Sequence, residues 1–203
     1  LQDMNRSRNG GNAVTFRLTH DEDVLWTDAV STSGRFDDRP GKAYEKTIHI
    51  RDLKPGIYRL AVMADDDIFI RRFSTNARHW VIGPRLYFGD TAGYAPTTLP
   101  AVAWTNSQHL LLETRHQEGV QTVTFGSTSA KVTRTHETFS LNRHPDELQG
   151  NLRTEAPNGD IRFFGDGFFS FDPNALFLPT PRRLTDMTNL EKEGIYSVLT
   201  PYQ

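Results

Sequence analysis

The stretch "DLKPGIYRLAVMADDDIFIRRF", residues 52–73, sets three adjacent carboxylates, Asp65, Asp66 and Asp67, between two apolar runs. Tyr58, Leu60, Val62 and Ala64 share one side of an extended chain, and Ile68 and Ile70 open the next run. Alternation with a period of two on both sides of a turn-forming cluster reads as a hairpin, because Asp bonds readily to its own local backbone. The expectation is two paired strands, 57–64 and 68–75, with the three acids at the tip. A calcium loop spaces its oxygen ligands at alternate positions and uses a glycine at its sharp bend. Consecutive acids without glycine fit a solvated turn better. Asp65, Asp66 and Asp67 are therefore only secondary candidates for a cation, together with Asp21 and Asp23 of "THDED" (19–23).

The residues before the acids specify a corner. Leu53 is expected to close a strand into the core, and Pro55-Gly56 makes a tight reversal, Pro fixing φ and Gly accepting a positive one. Tyr58 then starts the next strand, from which its hydroxyl can reach back to the turn backbone. Residues 52–64 resemble the corner of fibronectin type III and related immunoglobulin-like sandwiches, where a Leu-x-Pro-Gly stretch precedes a Tyr-led strand. That resemblance implies an immunoglobulin-like β-sandwich, and it carries no function of its own.

Working outward, short alternating bursts separated by Gly, Pro, Asn and Asp recur along the chain, and helical periodicity is nearly absent. Further strands are expected at 13–19, 46–53, 79–83 and 85–90. After "TAGYAPTTLPA" (91–101) they resume at 109–114, 120–126, 130–135, 137–142, 150–155, 160–165 and 168–172. "FGSTSA" (125–130) and "PNGD" (157–160) read as hairpin turns, and Asp166 as a turn between two strands. "HPDELQG" (144–150) has room for one helical turn. "LTDMTNLEKEG" (184–194) reads as a short helix or an ordered loop. The class is all-β with little helix: two antiparallel β-sandwich, immunoglobulin-like domains in tandem, 1–95 and 96–203, joined through "TAGYAPTTLPA".

Composition narrows the functions. A chain of 203 residues with 36% hydrophobic and 11% aromatic residues has material for a real core. A net charge of −2 opposes nucleic acid as a partner, since phosphate recognition needs a basic face. There are no cysteines, which removes disulfides, thiol nucleophiles and thiolate-bound zinc. No apolar run approaches the length of a membrane span. A start at Leu1 rather than Met leads to the expectation of a processed or excised chain.

Motifs of chemistry are sparse. Of seven histidines, none lies in an HxH or HExxH arrangement, and "THETFSLNRHPDE" (135–147) places His136 and His144 eight apart. Surface histidines are expected there, with no metal or other cofactor. No G-x-S-x-G elbow or Walker loop occurs. "RFFGDGFFSFD" (162–172) should turn Phe163 and Phe164 to opposite faces, and should set Phe169 and Phe171 opposite Phe168, with cover from "LFLPTPRRL" (176–184). The expected function is a non-catalytic extracytoplasmic module, secreted, periplasmic or at the cell surface, acting as a structural, assembly or adhesion domain toward other protein domains. The alternative is a carbohydrate-binding module attached to a polysaccharide-active enzyme, with glycan contacts from Trp26, Trp80, Tyr87, Tyr94 and Trp104. An enzyme using loop acids is a third possibility.

Overall fold

The computed structural model describes residues 1–5, 13–31, 40–64, 68–70, 72–90 and 100–179. These form fourteen strands and two single-turn 3-10 helices, all the sheets being antiparallel. Among the described residues no helix is long and apolar enough to cross a membrane. The chain divides into two compact units, the first built on Leu1–Thr75 and the second on Asn76–Thr180.

In the first unit, β2 (Ala13–His20) lies between β3 (Asp23–Ser31) and β4 (Tyr58–Ala64). Val14, Phe16 and Leu18 alternate along β2 and are buried. Their register partners are Val30, Asp28 and Trp26 on one side and Ala64, Val62 and Leu60 on the other. This is the half-buried pattern that period-two alternation dictates. Asp28 falls on the same face and pairs with Lys46, whose hydrogen bond holds the carboxyl below the usual carboxylate range. A separate ribbon pairs β1 (Gln2–Asp3) with β5 (Ile68–Phe69), and Gly41 and Tyr44 donate their amides to the carbonyls of Asp3 and Leu1.

The corner forms as its residues imply: the Tyr58 hydroxyl donates to the Lys54 carbonyl at 2.6 Å. Tyr58 is half-buried, with its ring stacked 4.8 Å from His20. Leu53 departs from expectation and is 44% exposed. Asp52 adopts a φ of 57°, which breaks the extended run, so the alternation that would carry Leu53 inward never reaches it. Residues 46–53 accordingly form no strand. The expected hairpin is also corrected. Strand β4 pairs with β2 along its whole length, and Ile68–Phe69 pairs with β1 instead. Long alternation on β2 offers β4 a continuous apolar partner, whereas the polar "RRFST" leaves the second run only two paired residues. Asp65, Asp66 and Asp67 lie outside the described residues, as do most of "TAGYAPTTLPA" and all of "LTDMTNLEKEG".

The second unit packs two sheets over one core. One sheet has the order β10 (Thr128–Lys131), β9 (Thr122–Phe125), β12 (Leu152–Ala156), β7 (Ala101–Thr105), β14 (Phe169–Ser170). The other runs β11 (Thr138–Asn142), β8 (His109–Glu113), β13 (Gly159–Gly165), β6 (Arg85–Asp90). Ala103, Val123, Phe125 and Phe169 from the first sheet share a buried cluster with Leu110, Leu112, Ile161 and Phe163 from the second. Because β6 pairs with β13, the boundary falls between Thr75 and Asn76 and not at 95.

"FGSTSA" is a hairpin tip, with Phe125 opposite Thr128 and Gly126 at a φ of 56° that favours glycine. "PNGD" is not one, since β12 and β13 belong to different sheets and the turn carries the chain across the core. Pro145–Glu147 is a single 3-10 turn within the segment expected to hold one. "HWVIG" reduces to an isolated bridge between Ile82 and Phe169. Phe163 and Phe164 take opposite faces as expected. Phe164 lies under the Arg85 guanidinium, 5.7 Å from its ring centre.

Tyr58→Phe should lower the unfolding free energy by about 1 kcal/mol through its lost hydrogen bond. Leu53→Ala, at an exposed site, should change it by no more than about 0.5 kcal/mol. Denaturant unfolding of both variants checks the pair.

Candidate functional site

Two polar constellations close opposite ends of the second unit, because β8 runs from one to the other and β13 runs back. At the end where β8 begins, Arg143 is buried. Its Nε donates to the Ser107 carbonyl at 2.5 Å, one terminal nitrogen to Glu147 at 2.9 Å, and the other to Thr105 and Gly150 at 3.1 and 2.8 Å. The guanidinium also lies 5.7 Å from the ring centre of Phe125. Burial pulls the Arg143 pKa down, while the charges of Asp166 and Glu147 oppose that shift. The group stays a cation, since the guanidinium does not lose its proton in proteins.

The neighbouring loops are fixed in the same way. Asp166 accepts from the amides of Gln108 and His109, and Asn106 Oδ1 accepts from the Phe168 amide. Glu147 accepts from the Ser127 amide and hydroxyl, bonds that hold its carboxyl below the usual carboxylate range. Beside this end lies a shallow depression of about 390 Å³, walled by the amides of Asn106, Gln108 and Asn151 and by Leu176 and Phe177.

At the other end the chain leaves β8 through Thr114 and makes a 3-10 turn at Gln117–Gly119. The Thr114 hydroxyl donates to the Asp160 carbonyl at 2.7 Å. Gln121 donates to the Gly159 carbonyl at 2.6 Å and accepts from the Asn158 amide at 2.8 Å. Gly119 has no room for a Cβ, which would stand 2.0 Å from Thr114 Oγ1 and 2.4 Å from the Asp160 carbonyl oxygen. This knot brings His116, Glu118 and Asp160 together, with ligand atoms all within 4.8 Å of one another. Asp160 is 3% exposed and accepts the Tyr87 hydroxyl at 2.6 Å, whereas His116 and Glu118 face solvent.

The described aromatic candidates fall in separate segments of the chain. Trp26 is on β3 of the first unit, and Trp80 packs 5.9 Å from Phe171. Trp104 is on β7 opposite Arg153, in a different sheet from Tyr87. Tyr94 lies outside the described residues. Asp21 and Asp23 are exposed around the turn between β2 and β3, Asp21 with a φ of 52°, and the other secondary cation candidates, Asp65, Asp66 and Asp67, lie outside the described residues.

The outer face of the four-stranded sheet was not anticipated as a unit. Leu86, Leu110, Leu112, Ile161 and Phe163 point into the core, so the alternate residues point out. Phe164 stands in register with Leu111 and Arg85, and Arg162 with Tyr87 and Glu113. Tyr87 and Leu111 are 38% and 36% exposed, and Arg162 lies 5.6 Å from the Tyr87 ring centre. The alternation of each strand was readable, but which strands become neighbours was not.

Comparison with protein-family models, curated proteins and solved structures finds no match to this chain.

Arg143→Lys should destabilise the chain by about 3 kcal/mol or more. One ammonium cannot span four carbonyls held by a planar fork, and buried acceptors left unpaired are costly. Glu147 has a depressed folded-state pKa, so its contribution is full above the unfolded value and lost as pH falls through the folded one. Glu147→Gln should therefore flatten the fall in stability below about pH 4.3. Denaturant unfolding across the acid range reads both.

Proposed function

We propose that this chain is a non-catalytic extracytoplasmic β-sandwich module, immunoglobulin-like in its architecture, that presents the outer face of its four-stranded sheet to another protein domain. One observation carries the reading. Tyr87, Leu111 and Phe164 stay at the surface of a paired sheet, interleaved with Arg85, Arg162 and Glu113. Tyr and Arg are the residues that dominate binding energy at protein interfaces. Rings under guanidinium groups give such a face rigid apolar area together with directed hydrogen-bond donors. The loop ends support the same reading, since Arg143, Asn106, Gln121, Thr114 and Asp166 hold backbone groups in place. The Tyr58 corner supports an immunoglobulin-like reading of the first unit, and with it the tandem arrangement.

A second reading, glycan binding, is favoured by the depression lined with amides and Phe177, because sugars need amide hydrogen bonds beside an apolar wall. The two are separable. A photo-crosslinking residue at Ser140, opposite Leu111 in register, should capture a protein in the native cell, and one at Thr124 on the other sheet should not. Leu111→Asp should abolish the adduct while changing stability by no more than about 0.5 kcal/mol. Equal capture from both positions, or none from Ser140, would count against the interface. Retardation in polysaccharide-containing gels that Asn151→Ala relieves would favour the glycan reading.

A further inference from the structure

We propose that His116, Glu118 and Asp160 form a binding site for a divalent first-row transition metal, with zinc as its reference ion. The donor set is one imidazole and two carboxylates, whose ligand atoms all lie within 4.8 Å of one another. Zinc bonds of about 2.0–2.2 Å in tetrahedral geometry require donors roughly 3.4 Å apart. His116 and Glu118 are exposed, so side-chain rotation alone can close that difference.

Asp160 is the fixed member and supplies the independent reason. The residue is only 3% exposed, and a carboxylate held in so closed a place gains from a cation beside it. Among the described residues no Lys, Arg or His forms an ion pair with it. Oδ1 accepts the neutral Tyr87 hydroxyl at 2.6 Å, and among the described residues no hydrogen bond reaches Oδ2, which is not sealed from solvent. The carboxylate is thus fixed by Tyr87 with a ligand oxygen within 4.8 Å of those of His116 and Glu118. A metal would supply the missing positive charge, and Tyr87 would orient the carboxylate as hydrogen-bonded neighbours of metal ligands do.

The ligand types select the ion. Calcium and magnesium take oxygen donors, whereas imidazole suits zinc and its neighbours in the transition series. Three protein ligands leave a coordination position open. Such a site would tie the turn after β8 to the start of β13, an addition to the hydrogen bonds of Thr114 and Gln121.

The test is zinc titration of the full chain by competition with a chromophoric chelator, together with thermal melting and the visible absorption of the cobalt form. One equivalent should bind per chain, with a rise in melting temperature and a cobalt band of tetrahedral intensity. His116→Ala removes only an exposed side chain and should weaken binding at least tenfold. Tyr87→Phe, which leaves every ligand in place, should weaken it by about tenfold. His144→Ala, at the other His–Asp pair of this unit, should bind as wild type does. Asp160→Asn should abolish the cobalt band, and its folding is verified by near-ultraviolet circular dichroism. Should it not fold, His116→Ala and Tyr87→Phe decide the matter. Absence of a stoichiometric equivalent, or binding that His116→Ala leaves intact, overturns the proposal.

Discussion

A single guanidinium holds one end of the second unit together. Arg143 follows β11 directly, and its donors go to the carbonyls of Thr105 at the end of β7, of Ser107 beyond it, and of Glu147 and Gly150 before β12. Ser107, Glu147 and Gly150 lie outside the strands, so their carbonyls need donors if they are to stay out of water. A planar cation with fixed donor directions meets several at once, and Phe125 beneath it closes the apolar side. The hairpin tip of β9 and β10 is fixed to the same turn through Ser127 and Glu147. One buried charge thus ties the loop after β7 to the turn before β12, while Asp166 and Asn106 hold the turn after β13.

The other end solves the same problem with neutral groups. Thr114 and Gln121 satisfy the backbone where the chain leaves β8 and where it crosses into β13. The close approach of Thr114 to the Asp160 carbonyl leaves space only for glycine at 119. The consequence is that Asp160, carried inward on a φ of 46°, is buried beside two exposed ligating side chains. A tight polar closure at one corner is what brings Asp160, distant in the sequence, to the neighbouring His116 and Glu118.

Between the two ends, the sheets divide the labour of the side chains. Alternation places Leu110, Leu112, Ile161 and Phe163 in the core and leaves Leu111, Arg162 and Phe164 outside. Outward apolar residues on one strand would be unremarkable at a protein surface. In register with Arg85, Tyr87 and Glu113 they become a patterned face, the kind a partner surface can complement.

Local chemistry determined a good deal of this. The all-β class, most strands of the second unit from 109 onward, the Gly126-Ser127 hairpin tip, the 3-10 turn at Pro145 and the Tyr58 corner all follow from propensity, period and turn residues within a few positions of one another. Pairing across long separations was decided only in three dimensions. Strand β4 chose β2 over the run that follows it, β6 joined the second unit, "PNGD" crossed between sheets, and a φ of 57° at Asp52 turned Leu53 outward. His116 and Glu118 were visible as neighbours, but Asp160 lies far along the chain and reaches them only through the sheet crossing. The physical reason is common to all these cases. Alternation fixes which face a residue takes on its own strand, whereas the identity of the neighbouring strand depends on apolar area buried jointly by segments that the sequence keeps apart.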